Sequence, residues 1–316
     1  MRRLVVPALV AIACLAARRL VTAAPPHREP IAALWEEPAD LSTRNLFDGP
    51  WGSRRAPDPQ ATFTLTGVKS HGINPGIVVN DPAGREWHIK QHAHNDAGAE
   101  GPVEVVVSRV LSAVGYHQPP VYYVESLRVA APDGTRMVPG GRFRLRDDVL
   151  TEHGSWSWQD NPFVGTQPHR GLLAILLLFN STDLKDANNT LYQVSRNAAR
   201  TPRWYVVRDL GAALGETARF APRGNDAELF ERSPFILAFK NGVVEFANRS
   251  GYQSLFQEQL TADDTIWAGR LLARLSPRQW QDAFRAGGYT PEAAERFIKK
   301  IRSNIWSAQH PGAERR

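Results

Sequence analysis

Cysteine is almost absent. The 316-residue chain has one, Cys14, and it lies in the N-terminal leader, so the chain beyond the leader carries neither thiols nor disulfides. That excludes a disulfide-braced fold and is compatible with export that does not depend on disulfides. Long apolar runs are scarce as well. The run from Leu4 to Ala16 has about 13 residues, too few to cross a bilayer as a lone helix. There is no internal repeat and no low-complexity tract, which argues against a solenoid or a disordered tail. Nor is there a surplus of one charge: the formal net charge of +6 falls to +2 once the four arginines of residues 1–24 are set aside. Net charge therefore does not suggest a nucleic-acid partner.

Apolar residues make up 42% of the chain, which suits a soluble globular protein of one two-lobed domain or two small ones. Arg2 and Arg3 precede the apolar run, and Val21-Thr22-Ala23-Ala24 offers a small-residue cleavage site before Pro25-Pro26. Residues 1–24 thus read as a signal peptide, and the protein as exported, periplasmic or secreted. Arg18 and Arg19 interrupt the approach to the cleavage site, which leaves a retained membrane-proximal leader open. Ala11-Ile12-Ala13-Cys14 resembles a bacterial lipoprotein box without its usual Leu, so the alternative is a membrane-anchored lipoprotein. Residues 25–60, rich in Pro, Arg and Asp with Trp35 and Trp51 interspersed, read as an irregular extension that packs through its aromatics.

Chemistry concentrates between Asn180 and Gly211. Asp183-Leu184-Lys185-Asp186-Ala187-Asn188 follows Leu172 to Phe179, a segment apolar on every face and so a buried helix. A strand pair comes next, and the strand Trp204 to Arg208 delivers Asp209-Leu210-Gly211. An acid, a Lys two residues later, an Asn five residues later and a second acid before x-Gly form a phosphoryl-transfer pattern. Asp and Asn are also common turn formers, and that is the rival reading of the loop.

These residues resemble the protein-kinase-like superfamily. Asp183-Leu184-Lys185-Asp186-Ala187-Asn188 is similar to its catalytic loop and Asp209-Leu210-Gly211 to its metal-binding Asp-Phe-Gly. The resemblance is to atypical branches: HipA-like toxin kinases, phosphatidylinositol 3/4-kinases and secreted kinases. Thr182 stands where the common pattern has the Arg of His-Arg-Asp, and no Ala-Pro-Glu follows Asp209. The resemblance implies Asp183 as catalytic base, Lys185 near the transferred group, and Asn188 and Asp209 as magnesium ligands. It also implies a nucleotide, ATP with Mg2+, and a hydroxyl-bearing acceptor that is protein, lipid or small molecule. A catalytically silent binding module and a nucleotidyl-transferring relative are the alternatives.

The implied fold is α+β, with a mostly β N-lobe over residues 61–148, a mostly helical C-lobe over 149–306 and a frayed tail over 307–316. In the N-lobe, strands are expected at Ala61–Thr66, Ile77–Val79 and Glu86–Lys90, and Gly72 and Gly76 mark a hairpin tip suited to covering phosphates. Lys90 ends its strand in the manner of a phosphate-binding Lys. A helix from Pro102 to Gly115 carries Glu104, its natural ion-pair partner, with Glu100 as the alternative partner. Glu104 has a rival role as a first-turn acid favouring the helix dipole. Further strands are expected at Val121–Val124 and Leu127–Val129, a turn at Asp133-Gly134, and a returning strand from Met137 to Leu145. The adenine is expected near Arg142 to Asp148. Beyond the core, Asn241-Gly242 signals a hairpin, and Thr261, Ser276-Pro277 and Thr290-Pro291 each cap a helix.

Overall fold

The computed structural model describes residues 32–69, 74–92, 97–146, 149–195, 202–218 and 223–312. The leader of residues 1–24 lies outside the described residues. Among the described residues no helix is long and apolar enough to cross a membrane.

After a two-residue strand β1 (Ala32–Ala33), three antiparallel strands follow: β2 (Thr62–Val68), β3 (Gly76–Asn80) and β4 (Glu86–Gln91). Helix α1 (Glu100–Ala113) then leads into a long hairpin, β5 (Val121–Ala131) and β6 (Gly134–Arg146). Alternate side chains of a strand face opposite ways. Trp87 and Ile89 of β4 and Phe143 and Leu145 of β6 accordingly point inward with Phe63, Val79, Leu127 and Val129. Because β2 also pairs in parallel with β5, with Thr62 opposite Arg128, the five strands close into a barrel in the order β2-β3-β4-β6-β5. Closure leaves no unpaired sheet edge.

Two local expectations shift. Val121–Val124 and Leu127–Val129 belong to one strand, because the ladder to β6 continues through them from Val121 opposite Arg144 to Ala131 opposite Gly134. For the same reason the hairpin turn is Pro132-Asp133, with Gly134 already paired.

The rest of the chain supplies β7 (Leu150–Glu152), α2 (Gln167–Leu178), β8 (Asn189–Val194), β9 (Arg203–Val207) and α3 (Ala227–Arg232). It ends with the hairpin β10 (Ile236–Lys240) and β11 (Val243–Phe246), and helices α4 (Ala262–Ala273), α5 (Pro277–Ala286) and α6 (Pro291–Gln309). Leu172 to Leu178 in α2 are all buried, as the uninterrupted apolar run requires. Thr261 with Asp264 and Ser276 with Gln279 form capping boxes, and Thr290 accepts from the Ala293 amide. Asn241 and Gly242, with φ of 54° and 82°, make the left-handed turn that a two-residue hairpin needs. Helix α6 runs past Trp306 to Gln309, since Ile305 and Ala308 are buried against the helical core and hold its last turn.

The extension is not wholly irregular. β1 pairs in parallel with β9, within a sheet of order β1-β9-β8-β7. Trp35 Nε1 donates to the Val114 carbonyl at 2.8 Å, and Trp51 Nε1 to that of Gln118 at 2.9 Å. Helix α1 is wedged in the middle of the molecule. Val103, Val106, Val107 and Val110 belong to the helical core, while Gly101 lies against the backbone of Arg142 in β6.

Helix α2 supports the loop that follows it. Ile175 is fully buried, so Ile175→Ala should lower unfolding free energy by about 2–5 kcal/mol in urea titrations. An unchanged midpoint would remove α2 from the core that holds the loop.

Candidate functional site

Outward-facing residues of β4 and β6 are what the barrel presents to the rest of the chain. Lys90, whose neighbours Ile89 and Phe143 face the interior, is buried on this outer face, and three carboxylates reach its ammonium. Glu100 Oε2 lies at 2.9 Å, Glu104 Oε2 at 3.3 Å, and Asp209 Oδ1 is in direct contact. Both partners weighed for Lys90 on sequence grounds are thus present on α1. Glu104, the fifth residue of that helix, is buried and ion-paired, which goes beyond a first-turn acid favouring the dipole. Its second oxygen meets Arg142 Nε at 2.8 Å. Burial alone would raise the Glu104 pKa, but the charges of Arg142 and Lys90 outweigh it and hold the carboxyl at about 2. Burial likewise opposes the charged form of Lys90, and Glu104, Asp209 and Glu100 override it, leaving the ammonium well above the usual lysine range.

Asp209 reaches Lys90 because the chain turns sharply after β9. Its φ is 56°, in the left-handed region that Asp tolerates better than most residues. Gly211 then packs directly on Glu100, and any Cβ there would run into that residue. The loop after α2 is tied to the same turn. Thr182 N donates to the Ala212 carbonyl at 2.9 Å, Leu214 N to Phe179 O at 2.8 Å, and Arg208 N to Asn188 O at 2.8 Å.

Within that loop Lys185 Nζ bonds Asp183 Oδ2 at 2.6 Å, and Tyr252 OH approaches Asp183 Oδ1 at 3.4 Å. Burial tends to lower the Lys185 pKa, but the hydrogen bond and charge of Asp183, with Asp209 behind it, raise it, so Lys185 stays cationic. Asn188 Nδ2 donates to the Asp183 carbonyl at 2.9 Å. No described donor reaches its Oδ1. The side chains of Asn180, Asn188 and Asn248, the three residues in glycosylation-type sequons, are all buried.

Lys90, Asn188 and Asp209 line one cavity of about 420 Å³ between the barrel face and these loops, within the usual range of about 300–1,000 Å³ for ligand pockets. Asp183 and Lys185 stand beside it rather than in its wall. Gly76 opens β3 opposite Lys90 and is outside the cavity lining; a Cβ there would come 2.6 Å from the Ile89 carbonyl. Gly72, Asp147 and Asp148 lie outside the described residues. Arg142 to Arg146 form the end of β6.

The cavity also contains residues that sequence reasoning did not single out: His88, Arg144 and Arg208. The signal for Arg144 was the period-two run of Arg142, Arg144 and Arg146, alternating with Phe143 and Leu145, which puts three guanidiniums on one face.

The donors suit a hard cation. Magnesium takes one or two side-chain oxygens and fills its octahedron with phosphate and water, and the Asp209 carboxylate with Asn188 Oδ1 is such a pair. Among the described residues no cluster of three or more His, Cys, Asp or Glu forms an all-protein cage.

No family model matches the chain, and no curated protein matches it. Among solved structures, the Helicobacter pylori proinflammatory kinase CtkA is similar to 79% of this chain and 95% of its own, at 12% identity and a TM-score of 0.37. A superposition that loose carries no argument about fold or activity.

The shared carboxylate gives a test of that geometry. Glu104→Gln removes the carboxylate shared by Lys90 and Arg142, leaving Arg142 with no counter-ion among the described residues, and should cost about 3–5 kcal/mol at neutral pH. The wild-type contribution should be intact above pH 4.5, where an ordinary Glu is ionised. It should be lost as pH falls toward 2, because there the unfolded chain binds a proton that the folded chain refuses. Urea midpoints between pH 7 and 3 should therefore converge for wild type and Glu104→Gln. Parallel curves would deny Glu104 its depressed pKa.

Proposed function

We propose that the protein is an exported atypical kinase of two-lobed, protein-kinase-like architecture, transferring phosphate from a magnesium nucleotide to a hydroxyl acceptor. The observation that carries the proposal is the convergence of Lys90 from β4, Glu100 and Glu104 from α1, and Asp209 after β9, with Asn188 lining the same cavity. These residues come from four segments, and Asn188 and Asp209 lie about 100 residues beyond β4 and α1. Turn formation accounts for Asp183, Asp186 and Asn188 one by one, but not for a buried lysine aimed at the acid of the second motif.

Bound magnesium and nucleotide would supply the phosphoryl group and screen its charge. Asn188 and Asp209 would hold the metal, and Lys90, released from Asp209 as phosphates enter, would bind phosphate oxygens while Glu100 and Glu104 keep it in place. Asp183 would take the proton of the acceptor hydroxyl. That oxygen then bonds to the γ-phosphorus as the bond to the bridging oxygen breaks and the diphosphate leaves. Lys185, close to Asp183, would neutralise charge on the transferred group. The leader supports export, and possible membrane association through it belongs to the same proposal.

Two kinds of variant separate an enzyme from a silent module. Asp183→Ala should lower kcat by about 100-fold or more while nucleotide affinity changes little, since the base acts in the transition state. Asn188→Ala and Asp209→Asn should weaken nucleotide binding in magnesium, measured by calorimetry, as well as turnover. Full turnover by Asp183→Ala would make that residue a turn former. Tight nucleotide binding by wild type with no turnover on protein, lipid or small-molecule acceptors would favour the binding module.

A further inference from the structure

The outer face of the barrel pairs β4 with β6 in a fixed register: Glu86 opposite Arg146, His88 opposite Arg144, Lys90 opposite Arg142. The two outer rungs are neutralised. Glu86 Oε1 meets His88 Nε2 at 2.9 Å and Arg146 at 3.3 Å, and Glu104 is shared by Lys90 and Arg142. The middle rung is not. Arg144 donates no hydrogen bond and makes no ion pair among the described residues, although it is mostly shielded from solvent. Across the cleft, the carboxylate that might have served it, Glu152, is taken by Arg208.

Burial, then the like charges of Arg142 and Arg208, push the Arg144 guanidinium down to about 10, with Tyr192 and Glu104 offsetting part of this. It remains a cation at neutral pH, held at a desolvation cost with no counter-ion in contact among the described residues, although the charges of Glu104 and Glu152 act on it at a distance. Arg144 and His88 line the cavity that contains Lys90 and Asp209. They also line a larger neighbouring groove of about 1050 Å³.

We propose that Arg144, with His88 and Arg208 beside it, forms an anion site for a phosphate group, distinct from the Lys90–Asp209 end of the cleft and joined to it through the shared wall. A phosphate fits the chemistry: a free guanidinium fork binds two of its oxygens at once, and among the described residues the neighbouring carboxylates Glu86, Glu104 and Glu152 are already engaged. The phosphate belongs either to the nucleotide itself, lying along the barrel face, or to a phosphorylated acceptor entering from the larger groove. The inference extends the kinase reading to its ligand class, but the site rests on Arg144 and not on that reading.

The test uses the full chain, wild type and Arg144→Gln, with inorganic phosphate as calorimetric probe in magnesium-free buffer. Phosphate should bind wild type and bind Arg144→Gln about tenfold more weakly or worse, the scale of a lost charge-assisted contact. Arg144→Gln should unfold no lower in temperature than wild type, because it removes a half-buried charge with no ion-pair partner among the described residues. Should that variant fail to fold, Arg144→Lys, which keeps the charge but loses the fork, should bind phosphate severalfold more weakly. Equal phosphate affinity in wild type and the folded variant, or no phosphate binding by wild type, overturns the site.

Nucleotide arms identify the source. If ATP displaces phosphate and Arg144→Gln weakens ATP more than adenosine, the nucleotide's own phosphates occupy the site. If phosphate still binds at saturating ATP, the second substrate carries it. Arg144-dependent phosphate binding in a protein that binds no magnesium nucleotide would sink the kinase reading and leave the anion site standing. Normal nucleotide binding with Arg144-independent phosphate affinity would do the reverse.

Discussion

Two buried cations on neighbouring strands share one buried carboxylate, and the arrangement of barrel, helix and loop depends on that sharing. Lys90 and Arg142 sit on one rung of the β4–β6 ladder, close enough to repel each other. In a medium of low polarity that repulsion would drive the strands to a different register or one lysine to lose its proton. Glu104 removes the conflict by offering one oxygen to each. The consequence is positional. Helix α1 cannot slide or rotate on the barrel without stranding a charge, so the helix, β4 and β6 move as one body. A buried pair of this kind adds little net stability over apolar packing, but breaking it is costly, which is how it specifies a geometry.

The second constraint is the approach of the Asp209 turn to the start of α1. Gly211 lies against Glu100 with no room for a side chain, and the backbone of the 180–188 loop is laced to the same turn at Thr182, Arg208 and Leu214. Below them α2 is buried from Gly171 to Leu178, and Asn304 from α6 donates to the Leu178 carbonyl at 3.0 Å where α2 ends. The acidic and amide groups of the site therefore stand on a scaffold whose backbone bonds are already satisfied. Preorganised polar groups of that sort stabilise developing charge without first having to be rearranged.

Features with a local cause were legible in the sequence. Capping residues at Thr261, Ser276 and Thr290, the Asn241-Gly242 turn and the uninterrupted apolar run of α2 each act within a few residues, and each appears where chemistry puts it. Lys90 and Glu104 could be paired on paper because a strand end and the helix that follows it are neighbours in sequence. Barrel closure could not, since the parallel pairing of β2 with β5 joins segments 66 residues apart at Thr62 and Arg128, and no local pattern encodes it. The same holds for β1 on β9, and for Tyr252, whose hydroxyl faces Asp183 across 69 residues. Arg144 was hidden differently. Its period-two spacing was visible, but whether a strand arginine is paired or unpaired depends on what the register sets beside it, and β4 supplies a histidine there.

The charged groups of the site neutralise one another. Lys90 contacts Asp209 directly, so the residue proposed to bind phosphate and the residue proposed to bind metal satisfy each other. A free phosphate would have to displace the carboxylate, and a free cation the ammonium, each leaving a charge exposed in a partly buried cleft. A magnesium-bound phosphate avoids both penalties at once, because its cation takes Asp209 while its oxygens take Lys90. Glu100 and Glu104 would keep the lysine in place during that exchange, which gives each of the three carboxylates around the ammonium its own role in the proposal. In the proposed kinase this geometry would discriminate in favour of a ligand carrying both charges together, which a metal–phosphate complex does and neither component does alone.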